Sequence, residues 1–266
     1  LTISGTDVEG VFQGVSFLKR VGLGERLDLG KKVIVIGGGN VAMDAARTAK
    51  RLGAVVTVVY RRKRNEMPAI HEEIIAAEEE GVKFKFLAAP VSVISKDEKV
   101  TGLQIIDVGS VSDESGRSEL KYIEGSESVI DTNTIIAAVG QASDNACLKG
   151  CKGFKATRWG TIVTDESLNI GIPGVFAAGD VATGPAIVIG AVASGQDAAR
   201  AIDKYLRGKE RRIEKRAKMT VINDYKKPAE GYIKIMREEP PLMGVEERLS
   251  GFNQVEIGYP EDMAIE

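Results

Sequence analysis

The chain has 266 residues, 43% of them hydrophobic, enough to bury one large core or two modest ones, so one or two globular domains are expected rather than disorder. Its 36 basic and 38 acidic residues leave a formal charge of -2, a balance with no electrostatic footprint for nucleic acid or an acidic membrane. No apolar run approaches the roughly 20 residues that span a bilayer and no secretory leader is visible, so a soluble cytoplasmic protein is expected. The single histidine excludes a three-histidine zinc centre, and Cys147 and Cys151 match neither a redox CxxC pair nor a disulfide framework.

The first stretch, LTISGTDVEGV, reads like the interior of a domain, which suggests a chain cut from a longer protein. Residues 12–21 carry Phe12, Val15, Phe17, Leu18 and Val21 at helical spacing, and the glycine-containing stretch 22–30 ends that helix. A short apolar run at 33–36 then meets three glycines, a helical pattern and a β-branched run at 55–60, which is the order strand, turn, helix, strand. Residues 68–80 suit another helix with Pro68 near its first turn and Gly81 at its end, and VKFKFLAA alternates as a strand. From 91 to 130 short β-like pieces, punctuated by Lys96-Asp97, Asp113-Glu114 and Ser115-Gly116, predict a small antiparallel meander. TIIAAVG at 134–140 is apolar enough for a buried parallel strand. After a polar loop with Trp159, GVFAAGD leads to a long helix from about Pro185 whose small residues permit close approach of another element or a ligand. The charged start of 208–266, with Pro228, Pro240, Pro241 and Pro260 beyond it, predicts an extended arm.

GGGNVA at 37–42 fits the GxGxxG/A fingerprint in its required context of strand, helix and second strand. Gly37 permits the tight turn, with Gly38 inside it; Gly39 leaves room for a pyrophosphate; Ala42 lets the helix lie close to the strand. The amides of Asn40 and Val41, on to Met43, would face the phosphates with the helix dipole behind them. The same glycines could form a turn that binds nothing, but their context favours binding.

Which dinucleotide fits is decided at the end of the second strand, where an NAD site places a carboxylate on the ribose. Here the text is Tyr60-Arg61-Arg62-Lys63-Arg64, with no acid. A solvated charge run is the usual fate of such a string, yet at this place it suits a 2′-phosphate, so the expected coenzyme is NADP(H), held by Arg61 and Arg62 first and Arg64 next.

AAVGQASD at 137–144 and GVFAAGDVATGP at 174–185 resemble the pair of segments by which flavoproteins with two dinucleotide domains return from the NADPH domain to the FAD domain. Together with GKKVIVIGGGNVAMDAARTAKRLGA, VVYRRKRNEMPA and EEGVKFKFLAAPV, they make the chain from about Leu1 to Leu206 similar to the small (beta) subunit of NADPH-dependent glutamate synthase and its relatives. That group lies in the pyridine nucleotide-disulfide oxidoreductase superfamily. The resemblance implies FAD as a second cofactor, with Asp180 on its ribityl chain, Gly179 giving the backbone room, and Gly140 among the cofactor contacts. It also shows departures. The amino-terminal fingerprint for the ADP half of FAD and the cysteine-rich iron–sulfur segments are missing, and Ser143 and Ile170 stand where proline and threonine are common.

The expected architecture is α/β: a Rossmann-like NADP(H) domain at 31–139, with a parallel sheet and a small antiparallel meander, inserted in an incomplete FAD domain made of 1–30 and 140–207, followed by an arm at 208–266. The expected activity is hydride transfer between NADP(H) and FAD. Its partners would be the missing FAD-binding segment of the same protein and an iron–sulfur domain or larger electron-accepting subunit. The rivals are an NADP(H) sensor without chemistry and another flavoprotein reductase, a disulfide reductase being disfavoured by the lack of CxxC. His71 reads as a surface residue and Trp159 as a packing residue. No nucleophile triad or paired carboxylates stand out, and hydride chemistry requires neither.

Overall fold

The computed structural model describes residues 3–112, 118–208 and 238–265. The expected turn at 113–116 and the charged start of the arm from 209 lie outside them. The chain divides into two compact units, Leu1–Gly140 with Met236–Glu266, and Gln141–Ile235.

In the first unit, β1 (Val11–Gln13) leads into α1 (Gly14–Gly22), and β2 (Lys32–Ile36), α2 (Asn40–Arg51) and β3 (Val55–Tyr60) form the fingerprint unit. Then come α3 (His71–Glu79), β4 (Lys83–Phe86), β5 (Ala88–Lys96), β6 (Lys99–Ser112), β7 (Ser118–Tyr122), β8 (Ser128–Asp131) and β9 (Thr134–Ala137). A parallel sheet runs in the order β1-β9-β2-β3-β4, and an antiparallel sheet joins β5, β6 and β7 with β8 also on β6.

The parallel strands read as unbroken apolar runs because both of their faces are covered. Successive side chains of a strand point to opposite sides. On β2, Val33 and Val35 therefore pack with Phe17 of α1, with Met43 and the alanines of α2, and with Ile74 of α3. Ile34 and Ile36 point the other way and pack with Val93, Leu103 and Ile105 of the antiparallel sheet. The result is three layers, helices, parallel sheet and meander, with the carboxyl ends of β2, β3 and β9 gathered at one edge. Ala42, Ala45, Ala46 and Ala49 are fully buried on α2, and their small size brings this helix close to the sheet.

Two local readings change. Residues 3–30, expected to belong with the other dinucleotide domain, fall within this unit: Val11, Phe12 and Gln13 pair in parallel with Ile135, Ile136 and Ala137, and the Val93 amide donates to the Ser4 carbonyl at 3.0 Å. VKFKFLAA is two strands, because Leu87 adopts φ +54° and turns the chain from the parallel sheet into the antiparallel one.

The second unit has a small core of Ile162, Ile170 and Ala177. It carries α4 (Asp180–Thr183) and α5 (Val188–Arg207). The long helix thus starts three residues after Pro185, since Gly184 ends α4 with φ +86° and the proline keeps the junction extended. Among the described residues, no helix is long and apolar enough to cross a membrane.

The described part of the expected arm has more form than an extended chain. It holds α6 (Val245–Leu249) and α7 (Glu261–Ile265), and α6 packs on α2. Arg248 is only 6% exposed; its guanidinium donates to the Met243 carbonyl at 2.6 Å and to Glu79 of α3 at 3.0 Å. Arg248→Ala is expected to lower stability by about 1.5–3 kcal/mol, the scale of a hydrogen bond to a charged group. The check is a urea titration, in which the midpoint falls at an unchanged slope.

Candidate dinucleotide site

At the end of β2 the three glycines sit in three different environments. Gly37, at φ +141°, donates its amide to the Val59 carbonyl at 3.1 Å, and a Cβ there would collide with the Ala138 carbonyl oxygen. At Gly38 a Cβ would lie 2.5 Å from the ring of Tyr60. At Gly39 a Cβ would meet nothing within 4 Å, so this glycine borders open space. That space is a cleft of about 830 Å³ lined by Gly37 to Val41, Tyr60, Arg61, Arg62, Pro90, Tyr122, Val139 and Gly140, among others. Its size lies in the range of small-molecule sites, roughly 300–1,000 Å³.

Among the described residues, the amides of Gly38, Gly39, Asn40 and Val41 have no backbone acceptor. Asn40 and Val41 open a twelve-residue helix, Gly39 caps it and Gly38 precedes the cap, and there is no acidic residue in its first turn. Open donors and the positive end of a helix dipole together favour an anion. The Asn40 side chain is otherwise employed: its Oδ1 accepts the Ile70 amide at 2.8 Å, while the Ala69 amide donates to the Gly38 carbonyl at 3.1 Å. The loop after β3 is thereby stitched to the fingerprint, a role that the pattern GGGNVA does not announce.

The cationic run separates into residues that face the cleft and one that does not. Arg61 lines the cleft and its side chain has no ion pair or hydrogen bond among the described residues. Arg62 also lines it and holds Glu66 at 3.1 Å. Arg64 is elsewhere, in a two-pronged contact with Glu78 of α3 at 2.8 and 2.6 Å. That hydrogen-bonded pairing holds the Glu78 carboxyl below its ordinary range. Tyr60 donates its hydroxyl to the Glu66 carbonyl at 2.8 Å, and burial pushes its phenol above the ordinary value, against the pull of Arg62 and Arg61. It is therefore a neutral donor that braces the loop, with its ring against Gly38.

In the second unit, Gly179 has φ +70° and donates its amide to the Ser194 hydroxyl at 3.0 Å. Asp180 begins α4, exposed and without an ion pair among the described residues. Ile170 is buried in the core of this unit, so the position where threonine is common serves packing here. Trp159 is not a packing residue: it is 73% exposed and lies under the Arg158 guanidinium, 4.5 Å from the ring centre. His71 is exposed at the start of α3.

Fold and cleft together define a Rossmann-type dinucleotide-binding module built on a glycine cradle. The family model described as pyridine nucleotide-disulphide oxidoreductase matches residues 1–195. The chain belongs to that family. It is 37% identical over 217 residues to the NADPH-Fe(3+) oxidoreductase subunit beta of Geobacter sulfurreducens, covering 73% of this chain and 32% of that one. It is 41% identical over 184 residues to the glutamate synthase [NADPH] small chain of Azospirillum brasilense, covering 68% and 38%. The fold is shared with Mycobacterium tuberculosis FprA in complex with NADPH, at a TM-score of 0.62 and 21% identity over 78% of this chain and 61% of that one. The chain thus spans only about a third of the length of these two curated relatives.

Proposed function

We propose that this chain is the NADP(H)-binding portion of a flavin-dependent oxidoreductase that moves hydride between NADP(H) and FAD, with electrons passing on to iron–sulfur centres or a larger partner subunit. The observation that carries the reading is the cleft, where side-chain-free space at Gly39 meets an arginine, Arg61, that has no partner among the described residues. The amides of Gly38 to Val41 would hold the pyrophosphate, and Arg61 and Arg62 the 2′-phosphate. The two relatives named above carry NADPH in their names, which supports the same coenzyme.

For the flavin, the residues present fit in kind: Asp180 offers a ribityl hydroxyl a carboxylate with no ion pair among the described residues, and Gly179 keeps the backbone before it clear. When bound, nicotinamide and flavin supply the redox chemistry themselves. The chain's own residues bind and orient, which explains why the cleft needs no acid–base pair. On this reading 31–139, with residues 3–30 packed onto its sheets, is the coenzyme domain, 140–207 contributes to the flavin side, and a further FAD-binding segment completes it. The free, exposed Cys147 and Cys151 suit a reducing cytoplasm.

Calorimetric titration of the full chain tests the binding. NADP⁺ is expected to bind more tightly than NAD⁺, and Gly39→Val, whose side chain enters open space, should fold normally yet lose at least roughly tenfold in affinity for both, since a methyl-sized obstruction excludes the phosphate. A cleft that stays empty at millimolar coenzyme overturns the proposal. In the longer protein, flavin absorbance bleached by NADPH marks the oxidoreductase, and a colourless protein the sensor.

A further inference from the structure

We propose that Tyr122 is the aromatic wall on which the adenine of the coenzyme stacks. The inference rests on the coenzyme reading above and adds a residue that the fingerprint does not contain.

Tyr122 ends β7 in the meander, on a different sheet from the glycines, yet it lines the same cleft as Gly39, Arg61 and Arg62. Its place within that cleft follows from the main chain. Tyr122 faces Val108 in the ladder of β6 and β7. The Val108 amide donates to the Leu87 carbonyl at 2.7 Å, and the Leu87 amide donates to the Arg62 carbonyl at 3.2 Å. Three strand spacings, on the order of 15 Å, therefore link the backbones of Tyr122 and Arg62, a span that two long side chains and one nucleoside bridge. The left-handed turn at Leu87 is what lets the meander fold back over the arginine end of the parallel sheet.

Ribose chemistry then narrows the choice. The 2′-phosphate and the base sit on adjacent carbons of one sugar ring, so a phosphate held by Arg61 and Arg62 brings the base into their immediate neighbourhood. An uncharged purine needs a flat partner for its π face. Two aromatic residues line the cleft. Tyr60 is committed, with its ring against Gly38 and its hydroxyl on the Glu66 carbonyl. Tyr122 is 61% exposed, and among the described residues it has no ring partner, cation partner or hydroxyl hydrogen bond. Its backbone is nevertheless fixed, because the Ser126 hydroxyl accepts the Asp107 amide at 3.0 Å and donates to the Ile123 carbonyl at 2.6 Å, tying down the turn that follows. An aromatic face held in position but left uncovered is preorganised for a planar ligand.

The test uses the full chain with adenosine 2′,5′-bisphosphate and, as a probe of the phosphate cradle alone, inorganic pyrophosphate. Tyr122→Phe is expected to bind the adenosine compound within about twofold of the wild type, and Tyr122→Ala to bind it roughly tenfold more weakly, the scale of one base on one aromatic ring. Pyrophosphate affinity should not change in either variant. Upfield shifts of the adenine H2 and H8 proton resonances on binding should persist in Tyr122→Phe and vanish in Tyr122→Leu, a comparison that holds even if the alanine variant folds poorly. Wild-type-like affinity and unchanged proton shifts in Tyr122→Leu overturn the assignment while leaving the coenzyme reading intact. A wild-type chain that ignores the adenosine compound overturns both.

Discussion

Replacing Glu80 with alanine is expected to lower the free energy of unfolding by about 3–5 kcal/mol, the loss seen when one member of a buried ion cluster is removed. Glu80 follows α3 directly and is 1% exposed. Its Oε1 accepts from Arg47 Nε at 3.1 Å, Arg47 Nη2 at 2.7 Å and Arg51 Nη2 at 3.2 Å. Both arginine side chains are only 13% exposed. Burial works against the charge on Arg47, but Glu80 and Glu73 more than offset it and hold the guanidinium above its ordinary value. The loss in Glu80→Ala therefore comes less from missing attraction than from the stranded charges. Arg47 keeps Glu73, whereas Arg51 keeps no acidic partner among the described residues. Glu80→Gln preserves volume and one acceptor and should fall between wild type and alanine. Urea unfolding followed by circular dichroism measures all three, and a loss below about 1 kcal/mol would mean the cluster behaves as a solvated surface pair. The cluster joins α2 to α3 rather than lining the cleft at the glycines, so the affinity of the folded variant for NADP⁺ should be unchanged.

Much of the fold was legible where local pattern and tertiary environment agree. KVIVI and VVTVVY signal strands covered on both sides, and the alternation of Val33 and Val35 against Ile34 and Ile36 between two cores is that signal made physical. The glycine turn was equally legible, because a tight turn and a close-packed helix each demand small residues at fixed spacing, the same spacing on which the proposed phosphate cradle rests. What stayed hidden depends on distant partners. Nothing near Val11 announces that it pairs with Ile135, and nothing in VKFKFLAA marks Leu87 as the residue that takes positive φ. Four cations in five residues read as one patch. The division between Arg61 and Arg62 on one side and Arg64 on the other is made by Glu78, fourteen residues downstream of Arg64. The tail's prolines and charges suggested an extended chain because its anchor, Arg248, finds Glu79 across 169 residues. Tyr122 was unremarked for a similar reason: a tyrosine in a half-exposed strand looks ordinary until the register with β6 sets it beside the cleft.

Substituting both Arg61 and Arg62 with alanine should abolish the preference for NADP⁺ over NAD⁺ while leaving NAD⁺ affinity within about twofold. Each charge-assisted hydrogen bond contributes about 1.5–3 kcal/mol, so each arginine carries roughly one to two powers of ten in selectivity. The two are not equivalent. Among the described residues Arg61 has no partner, whereas Arg62 is shared with Glu66, so Arg61→Ala should cost more than Arg62→Ala. The pH dependence separates this account from a nonspecific loss of charge. Glu66 is held below the ordinary carboxylate range, first by the Lys63 amide and then by Arg62. A lowered carboxyl keeps its charge above its shifted value and loses it only as pH falls below about 4. The phosphate ester gives up its second charge near pH 6. Wild-type preference for NADP⁺ should accordingly decline as pH falls from 7 to 5, while Glu66 and the loop it braces stay unchanged. The double variant, with no cation facing the ester, should show no slope over that interval. If the double variant retained both the preference and the slope, the phosphate would have to be held elsewhere, and the assignment of these arginines would fail even with the glycine cradle in use.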